Sequence, residues 1–127
     1  MPPRAVLPLL LACLWSWTWA APAHAVQVEY IGTKCQAKWV SAYQVNVTIC
    51  DARYWRSDGK STHKITAYAD KGGNYQLTAA TQYVYRSTSY TGTSSSVSIT
   101  DRCSTSVTST VYIYGYWLFT AAFPRTC

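Results

Sequence analysis

Apolar and polar side chains alternate along much of the chain after residue 25, and this two-residue period is typical of β-strands with one buried face. The predicted strands are 26–30, 37–49, 62–69, 75–86, a short segment at 97–99, and 106–120. In the segment 37–49, the apolar side chains Trp39, Val45, Val47 and Ile49 are expected to share one face.

Turn-forming residues separate these segments. Asp58-Gly59 is a strong hairpin signal, and a second turn is expected over 70–74, which contains Gly72 and Gly73, because glycine can reach positive φ without steric cost. The polar segment 87–96 is expected to be a loop around Gly92. About seven short strands in roughly 100 residues predict a small antiparallel two-sheet sandwich, immunoglobulin-like only by architectural analogy. A small β-barrel is the alternative.

Composition supports the all-β class. The good helix formers are scarce after residue 25, where leucine occurs only at Leu77 and Leu118, glutamate only at Glu29, and methionine not at all. Serine, threonine and the 11 tyrosines of the chain dominate instead. Threonine and tyrosine favour half-buried pleated surfaces.

The first 25 residues resemble a secretion signal. Arg4 precedes an apolar run over 5–19, and Ala23-His24-Ala25 places small residues where a signal peptidase reads them. We therefore expect a signal peptide at 1–25, a single all-β domain at 26–127, and a secreted protein in the medium or the periplasm. The apolar run is shorter than a membrane span requires, and no later segment could span as a helix.

Four cysteines follow the predicted cleavage site, namely Cys35, Cys50, Cys103 and Cys127. An even number in a short exported chain predicts two disulfides. The wide spacing argues against a zinc site, and no metal or cofactor is expected. Because Cys35 and Cys50 flank one predicted strand, they are expected to lie too far apart to pair. The pattern predicted from two antiparallel strands is Cys50 with Cys103 and Cys35 with Cys127.

The chain carries 11 basic and 5 acidic residues, a formal net charge of +6, of which Arg4 belongs to the predicted signal. The remaining basic residues are scattered and form no run, which argues against nucleic acid as the partner. A modest positive charge more often reflects solubility or attraction to anionic cell-wall or membrane surfaces.

Aromatic residues provide the main binding candidates. On a single strand over 106–120, Tyr112, Tyr114 and Tyr116 would point outward in a row, with Trp117 and Phe119 inward. A flat row of rings suits stacking on sugar rings, so a cell-wall or surface glycan is one predicted partner and a protein is another. The alternative is that these tyrosines only stabilise the sheet through cross-strand contacts.

The segment Arg53-Tyr54-Trp55-Arg56 combines the residue types that dominate recognition hot spots. Its alternative interpretation is an ordinary strand end in which the arginine stems pack against the rings.

Few residues could support catalysis, and we predict no catalytic residue. His63 is the single histidine after residue 25, and Asp51 and Asp101 would approach each other only if the cysteines beside them were bridged. The chain contains no G-x-S-x-G elbow for a serine nucleophile. We therefore predict a non-catalytic binding or structural domain. A small secreted hydrolase, ribonuclease-like or glycosidase-like, is the alternative, as is a self-assembling surface subunit suggested by the uncharged segment 105–119.

Overall fold

The computed structural model describes residues 25–127, and the predicted signal peptide lies outside the described residues except for Ala25. Eight strands follow one another: β1 (Val28–Val40), β2 (Val45–Arg56), β3 (Lys60–Ala69), β4 (Leu77–Tyr83), β5 (Arg86–Gly92), β6 (Ser95–Arg102), β7 (Val107–Ile113) and β8 (Tyr116–Phe123). Within this part of the chain, no helix is long and apolar enough to cross a bilayer.

The strands form two four-stranded antiparallel sheets packed face to face. We name them sheet A, with the strand order β1-β2-β3-β6, and sheet B, with the order β5-β4-β7-β8. The chain changes sheet between β3 and β4, between β5 and β6, and between β6 and β7. The predicted all-β sandwich is confirmed. The alternative, a small β-barrel, is wrong, because over residues 25–127 the sheets do not close into a barrel.

Alternating side chains of both sheets fill the space between them. β2 contributes Val45, Val47 and Ile49, and these three predicted core residues are fully buried. The other large members of the core are Ile65, Leu77, Tyr83, Val107, Val111, Ile113 and Phe123. One end of this interior is polar, because the alternation of β2 and β3 also turns Asp51, Ser61 and His63 inward.

The predicted strand over 37–49 is wrong, because the chain reverses direction within it. β1 ends at Val40, a turn occupies 41–44, and Val40 then pairs with Val45. Gln44 adopts a φ of 52°, and its amide donates to the carbonyl of Ser41. Trp39 therefore lies opposite Asn46 on the outer face of sheet A, 53% exposed, instead of beside Val45 in the core.

This reversal also overturns the predicted disulfide pairing. Cys35 and Cys50 are register partners on β1 and β2, and they are bonded to each other with a Cα–Cα distance of 4.1 Å. Cys103 and Cys127 form the second bridge. Two disulfides are confirmed, but the pattern of Cys50 with Cys103 and Cys35 with Cys127 is wrong, since it assumed that one extended strand separates Cys35 from Cys50.

The predicted last strand, 106–120, is likewise two strands joined by a two-residue hairpin. Tyr114 and Gly115 both have positive φ, 48° and 82°, which matches the tight turns that join twisted strands. A bulge opposite Val111 and Tyr112 then shifts the alternation of β8. Leu118 is consequently buried while Trp117 points outward, so the predicted inward position of Trp117 is wrong.

The polar segment 87–96 is also paired rather than a free loop. β5 occupies most of it and follows β4 through a two-residue turn in which Val84 has a φ of 55°. Ser95 then begins β6, is fully buried, and donates a hydrogen bond to the carbonyl oxygen of Tyr90. The sequence pattern hides this pairing because β5 lies at a sheet edge and carries no buried apolar side chain.

Candidate functional site

The three tyrosines predicted to form one row lie in different places. Tyr112 is on the outer face of β7, Tyr114 is in the hairpin turn, and Tyr116 begins β8 with 73% of its surface exposed. The Tyr114 hydroxyl donates to the carbonyl of Asn74, and its ring packs against Tyr43 at a centroid distance of 5.6 Å. A continuous three-ring stacking row is therefore absent from this hairpin.

The Arg53–Arg56 segment is divided between the two faces of β2. Arg53 points inward, where its guanidinium donates to the carbonyl oxygens of Pro124 and Arg125. Tyr54 points outward and packs against Tyr30, with the ring centroids 5.5 Å apart. Arg56 is bonded to Asp58 at 2.8 Å. These side chains do not converge on one surface.

Trp55, the remaining member of that segment, is 47% exposed at the end of β2. It shares the inward direction of Arg53, pairs with Glu29 on β1, and lies beside Ser61 on β3. Its ring therefore faces away from Tyr54 and Arg56, and the predicted four-residue hot spot separates into an inner and an outer pair.

The outer face of sheet B, which we call the platform, forms a broad uncharged surface. Register pairing across the four strands brings twelve outward-facing residues together on it: Thr78, Ala80, Gln82, Ser87, Ser89, Thr91, Thr108, Thr110, Tyr112, Trp117, Thr120 and Ala122. Eight of the twelve carry aliphatic or phenolic hydroxyls, and none carries a charge. The platform can therefore offer many hydrogen bonds without electrostatic attraction.

Two aromatic residues lie on neighbouring strands at one end of the platform. Tyr112 and Trp117 are register partners on β7 and β8, and Trp117 is 61% exposed. The Trp117 indole donates to the Thr120 hydroxyl at 3.4 Å, and the Lys38 ammonium lies 5.4 Å from the centre of the indole. Lys38 itself is held by the carbonyl oxygen of Leu118 at 2.7 Å. These contacts limit the motion of the indole while leaving most of it open to solvent.

Hydroxyl pairs and a shallow groove continue the surface away from the rings. Thr78 is bonded to Thr91 at 2.7 Å, and Thr110 to Thr120 at 3.3 Å, across neighbouring strands. Toward β5, the face forms an open groove of about 460 Å³. Its lining is Ala80, Thr81, Gln82, Ser87, Thr88, Ser89, Thr108 and Thr110. An elongated neutral ligand could therefore contact the rings at one end and hydroxyls along the rest.

A second polar cluster lies inside the sandwich and contains the residues with catalytic potential. The Nδ1 atom of His63 is 2.8 and 2.9 Å from the two carboxylate oxygens of Asp51, and its Nε2 atom is 3.2 Å from the Ser61 hydroxyl. That hydroxyl is 2.8 Å from the hydroxyl of Tyr83, which donates to the carbonyl oxygens of Asp101 and Arg102. We call Asp51, Ser61, His63 and Tyr83 the buried network.

The donor directions in this network follow from its end points. Because carbonyl and carboxylate oxygens only accept, the Tyr83 proton is directed to the backbone and the Ser61 proton to Tyr83. The Nδ1 atom of His63 donates to the Asp51 carboxylate, and its Nε2 atom lies within hydrogen-bond distance of the Ser61 oxygen. Each of the four side chains of the buried network is thereby hydrogen-bonded, which is the condition for burying polar groups without a large penalty.

Ser61, His63 and Asp51 contact one another in the order hydroxyl, imidazole, carboxylate, as the three residues of a serine hydrolase triad do. All three are fully buried. The Ser61 hydroxyl is therefore enclosed at the polar end of the core in this structure. The two carboxylates considered together from the sequence have different partners, Asp51 with His63 and Asp101 with Arg86 at 3.3 Å. The sequence points to His63 and Asp51 separately, and their pairing depends on the register of β2 and β3.

Tyr83 provides a pH-dependent test of the network. Burial raises the pKa of its phenol, as do the nearby Asp101 and Asp51 carboxylates, whereas the Ser61 hydrogen bond acts in the opposite direction. The usual pKa of a tyrosine is about 10. Below that pH the Tyr83 phenol is protonated in both the folded and the unfolded protein, so it makes its full contribution to the free energy of unfolding. Above that pH the phenol loses its proton in the unfolded protein but keeps it in the folded protein. The free energy of unfolding therefore falls as the pH rises, until the pH exceeds the raised pKa of Tyr83 in the folded state.

We therefore expect the free energy of unfolding to decrease more steeply between pH 9.5 and 11 in the wild type than in Tyr83→Phe. Urea denaturation at several pH values measures both slopes. Tyr85→Phe, which removes a 90% exposed tyrosine, is the matched control and should retain the wild-type slope. If the free energy of unfolding of the wild type and of Tyr83→Phe changed with pH in parallel, Tyr83 would not be the source of this pH dependence.

The described part of the chain is thus a two-sheet antiparallel β-sandwich with two disulfides, an uncharged outer face and a polar network sealed inside it. No protein-family model, curated protein or solved structure matches the chain.

Proposed function

We propose that the protein is an exported, non-catalytic module that binds a neutral glycan on the platform. The observation that carries this proposal is the combination of the exposed Trp117 ring, beside Tyr112, with an uncharged field of hydroxyl groups on one sheet face. A secreted location follows from the predicted signal peptide and belongs to the same proposal.

Sugar rings match both parts of this surface. Their C–H faces are apolar and pack on aromatic rings, whereas their hydroxyls exchange hydrogen bonds with groups that both donate and accept, such as threonine hydroxyls. Thr110 and Thr120 form the next outward-facing register pair after Tyr112 and Trp117, with the Val111–Phe119 pair and the bulge between them. Since residues two apart on a strand are about 7 Å apart and neighbouring strands about 4.8 Å, the rings and these hydroxyls lie within the length of a short oligosaccharide.

Self-assembly is less well supported by the structure. β1 is an edge strand with exposed apolar side chains such as Val28 and Ile31, as a polymerising subunit requires. However, its pairing with β2 is interrupted by a bulge between Tyr30 and Gly32, and Lys34 and Lys38 follow on the same strand. Bulges and lysines are features that protect edges against pairing with another chain.

The test is retention of the purified mature protein on insoluble chitin, cellulose and peptidoglycan. We expect wild type to be retained on at least one polymer and Trp117→Ala to bind about 30-fold more weakly, the effect of losing an aromatic hot spot of about 2 kcal/mol. Tyr112→Ala should weaken binding in the same direction, because Tyr112 is the register partner of Trp117 on the platform.

Tyr116→Ala is the matched control, since it removes an even more exposed ring that lies on the same hairpin but not on the platform. Near-wild-type retention is expected for this variant. Near-ultraviolet circular dichroism and thermal unfolding establish that all variants are folded. Retention of Trp117→Ala at wild-type strength, or no retention of wild type on any of the three polymers, would contradict the proposal.

A further inference from the structure

The outer face of sheet A differs from the platform in charge. Lys60 on β3 pairs directly with Arg102 on β6, and Arg56 lies beside Lys60 because the preceding residue, Trp55, pairs with Ser61. Lys64, two outward positions further along β3, adds a fourth cation. We call Arg56, Lys60, Lys64 and Arg102 the basic face.

Most of the positive charge of the basic face has no acidic residue beside it on sheet A. The outward positions of the four strands of sheet A contain no acidic residue. Asp58, in the turn between β2 and β3, is bonded to Arg56, whose hydrogen bonds keep the pKa of that carboxyl below its usual range. Asp58 therefore compensates Arg56, and its charge also acts on Lys60, whereas Lys64 and Arg102 have no acidic neighbour on this face.

Two cations directly opposite each other on neighbouring strands destabilise a sheet, and the Lys60–Arg102 pair is of this kind. Both residues are exposed, as is Lys64. A bound anion would remove this repulsion. Because adjacent strands are about 4.8 Å apart and residues four apart on a strand about 13 Å apart, the cations could contact anionic groups repeated along a polymer.

We propose that the basic face binds an acidic polysaccharide, at a site separate from the platform. The groups between the cations favour a polysaccharide over a nucleic acid, because they are mostly hydroxyls and not the open aromatic rings on which bases stack. Tyr54, the ring among the cations, is half-buried against Tyr30, and the exposed Tyr85 ring lies in the β4–β5 turn of the other sheet, 5.6 Å from the Arg102 guanidinium carbon. The positions between the cations hold the hydroxyls of Thr62 and Thr100, bonded to each other at 2.7 Å.

The test is titration with polygalacturonate at low and physiological ionic strength, with the fully methyl-esterified polymer as the uncharged probe. We expect binding of polygalacturonate only, weaker at higher salt because exposed charges are screened. Lys60→Ser/Lys64→Ser should weaken binding about tenfold or more, in line with the loss of charge-assisted hydrogen bonds. Lys60→Arg/Lys64→Arg should retain it.

Lys34→Ser/Lys71→Ser changes the net charge equally at exposed positions away from the basic face, and less than a twofold effect is expected. Trp117→Ala should bind polygalacturonate like wild type, so that this proposal and the neutral-glycan proposal fail separately. Equal losses for the two lysine pairs would overturn the proposal, since net charge alone would then explain binding. Absence of wild-type binding, or tighter binding to a single-stranded 24-mer of deoxythymidine, would also overturn it.

Discussion

Replacing Asp51 with alanine should lower the free energy of unfolding by about 3–5 kcal/mol, the effect of removing one partner from a buried pair. The Asp51 carboxylate is fully buried and is in contact with both His63 Nδ1 and, at 3.8 Å, Arg53 Nε. Its loss leaves the His63 ring nitrogen without an acceptor in the interior. The Ser61 and Tyr83 hydroxyls, which continue the network, lose the group that orients the imidazole.

Urea denaturation followed by tryptophan fluorescence measures this change. Asp58→Ala is the matched control, because it removes an exposed carboxylate in a turn and should alter stability by about 0.5 kcal/mol or less. The double variant Asp51→Leu/His63→Leu removes both buried groups together and should be more stable than Asp51→Ala. A loss below about 1 kcal/mol for Asp51→Ala would show that the network does not hold this end of the core.

The second large effect is expected from the Cys103–Cys127 disulfide. This bridge links residues that are 24 positions apart in the sequence, and it fixes the C-terminal segment 124–127 against the end of β6. There the backbone amides of Thr126 and Cys127 donate to the Cys103 carbonyl oxygen. Cys103→Ser/Cys127→Ser should reduce the free energy of unfolding by about 2–4 kcal/mol, and the amides of Thr126 and Cys127 should lose protection against hydrogen exchange.

The Cys35–Cys50 disulfide provides the comparison. It links register partners in the middle of a twelve-pair ladder between β1 and β2, so the strands remain paired without it. Cys35→Ser/Cys50→Ser should therefore lose global stability but keep local protection in both strands. Retained protection of Thr126 and Cys127 after loss of Cys103–Cys127 would mean that backbone hydrogen bonds alone hold the terminus.

The fold class could be predicted because alternation is a local property of the chain. Val45, Val47 and Ile49 follow one another on one strand, and their burial follows directly from the two-residue period. The scarcity of helix-forming residues pointed to the same class. The all-β class and the sandwich were accessible for this reason, whereas the two disulfides followed from the even number of cysteines.

Hairpins whose turns lack strong turn-forming residues could not be predicted from the sequence. The reversals at 41–44 and at Tyr114-Gly115 preserve an apparent alternation across the turn, so each strand pair was interpreted as one longer strand. Gly115 is the one local signal that could have located the second reversal. Glycine at the second position of a two-residue turn is favoured because positive φ is required there.

The candidate site depended on these reversals. Trp117 was expected to be inside because it shares the parity of Val111 and Ile113 on an uninterrupted strand, and the hairpin with its bulge places it outside beside Tyr112. The platform also draws residues from four strands, of which β5 was expected to be a loop. The sequence indicated an aromatic, hydroxyl-rich surface, but its location required the sheet register.

Glycan binding by the platform is tested most directly by a ¹H–¹⁵N correlation titration with a soluble oligosaccharide of the polymer that retains the protein. We predict chemical-shift changes at the indole N–H of Trp117 and at the amides of Thr78, Thr110, Tyr112 and Thr120, saturating with a single Kd. Changes confined to the outer face of sheet A or to the Tyr114–Tyr116 hairpin tip, or no changes at saturating ligand, would contradict this account.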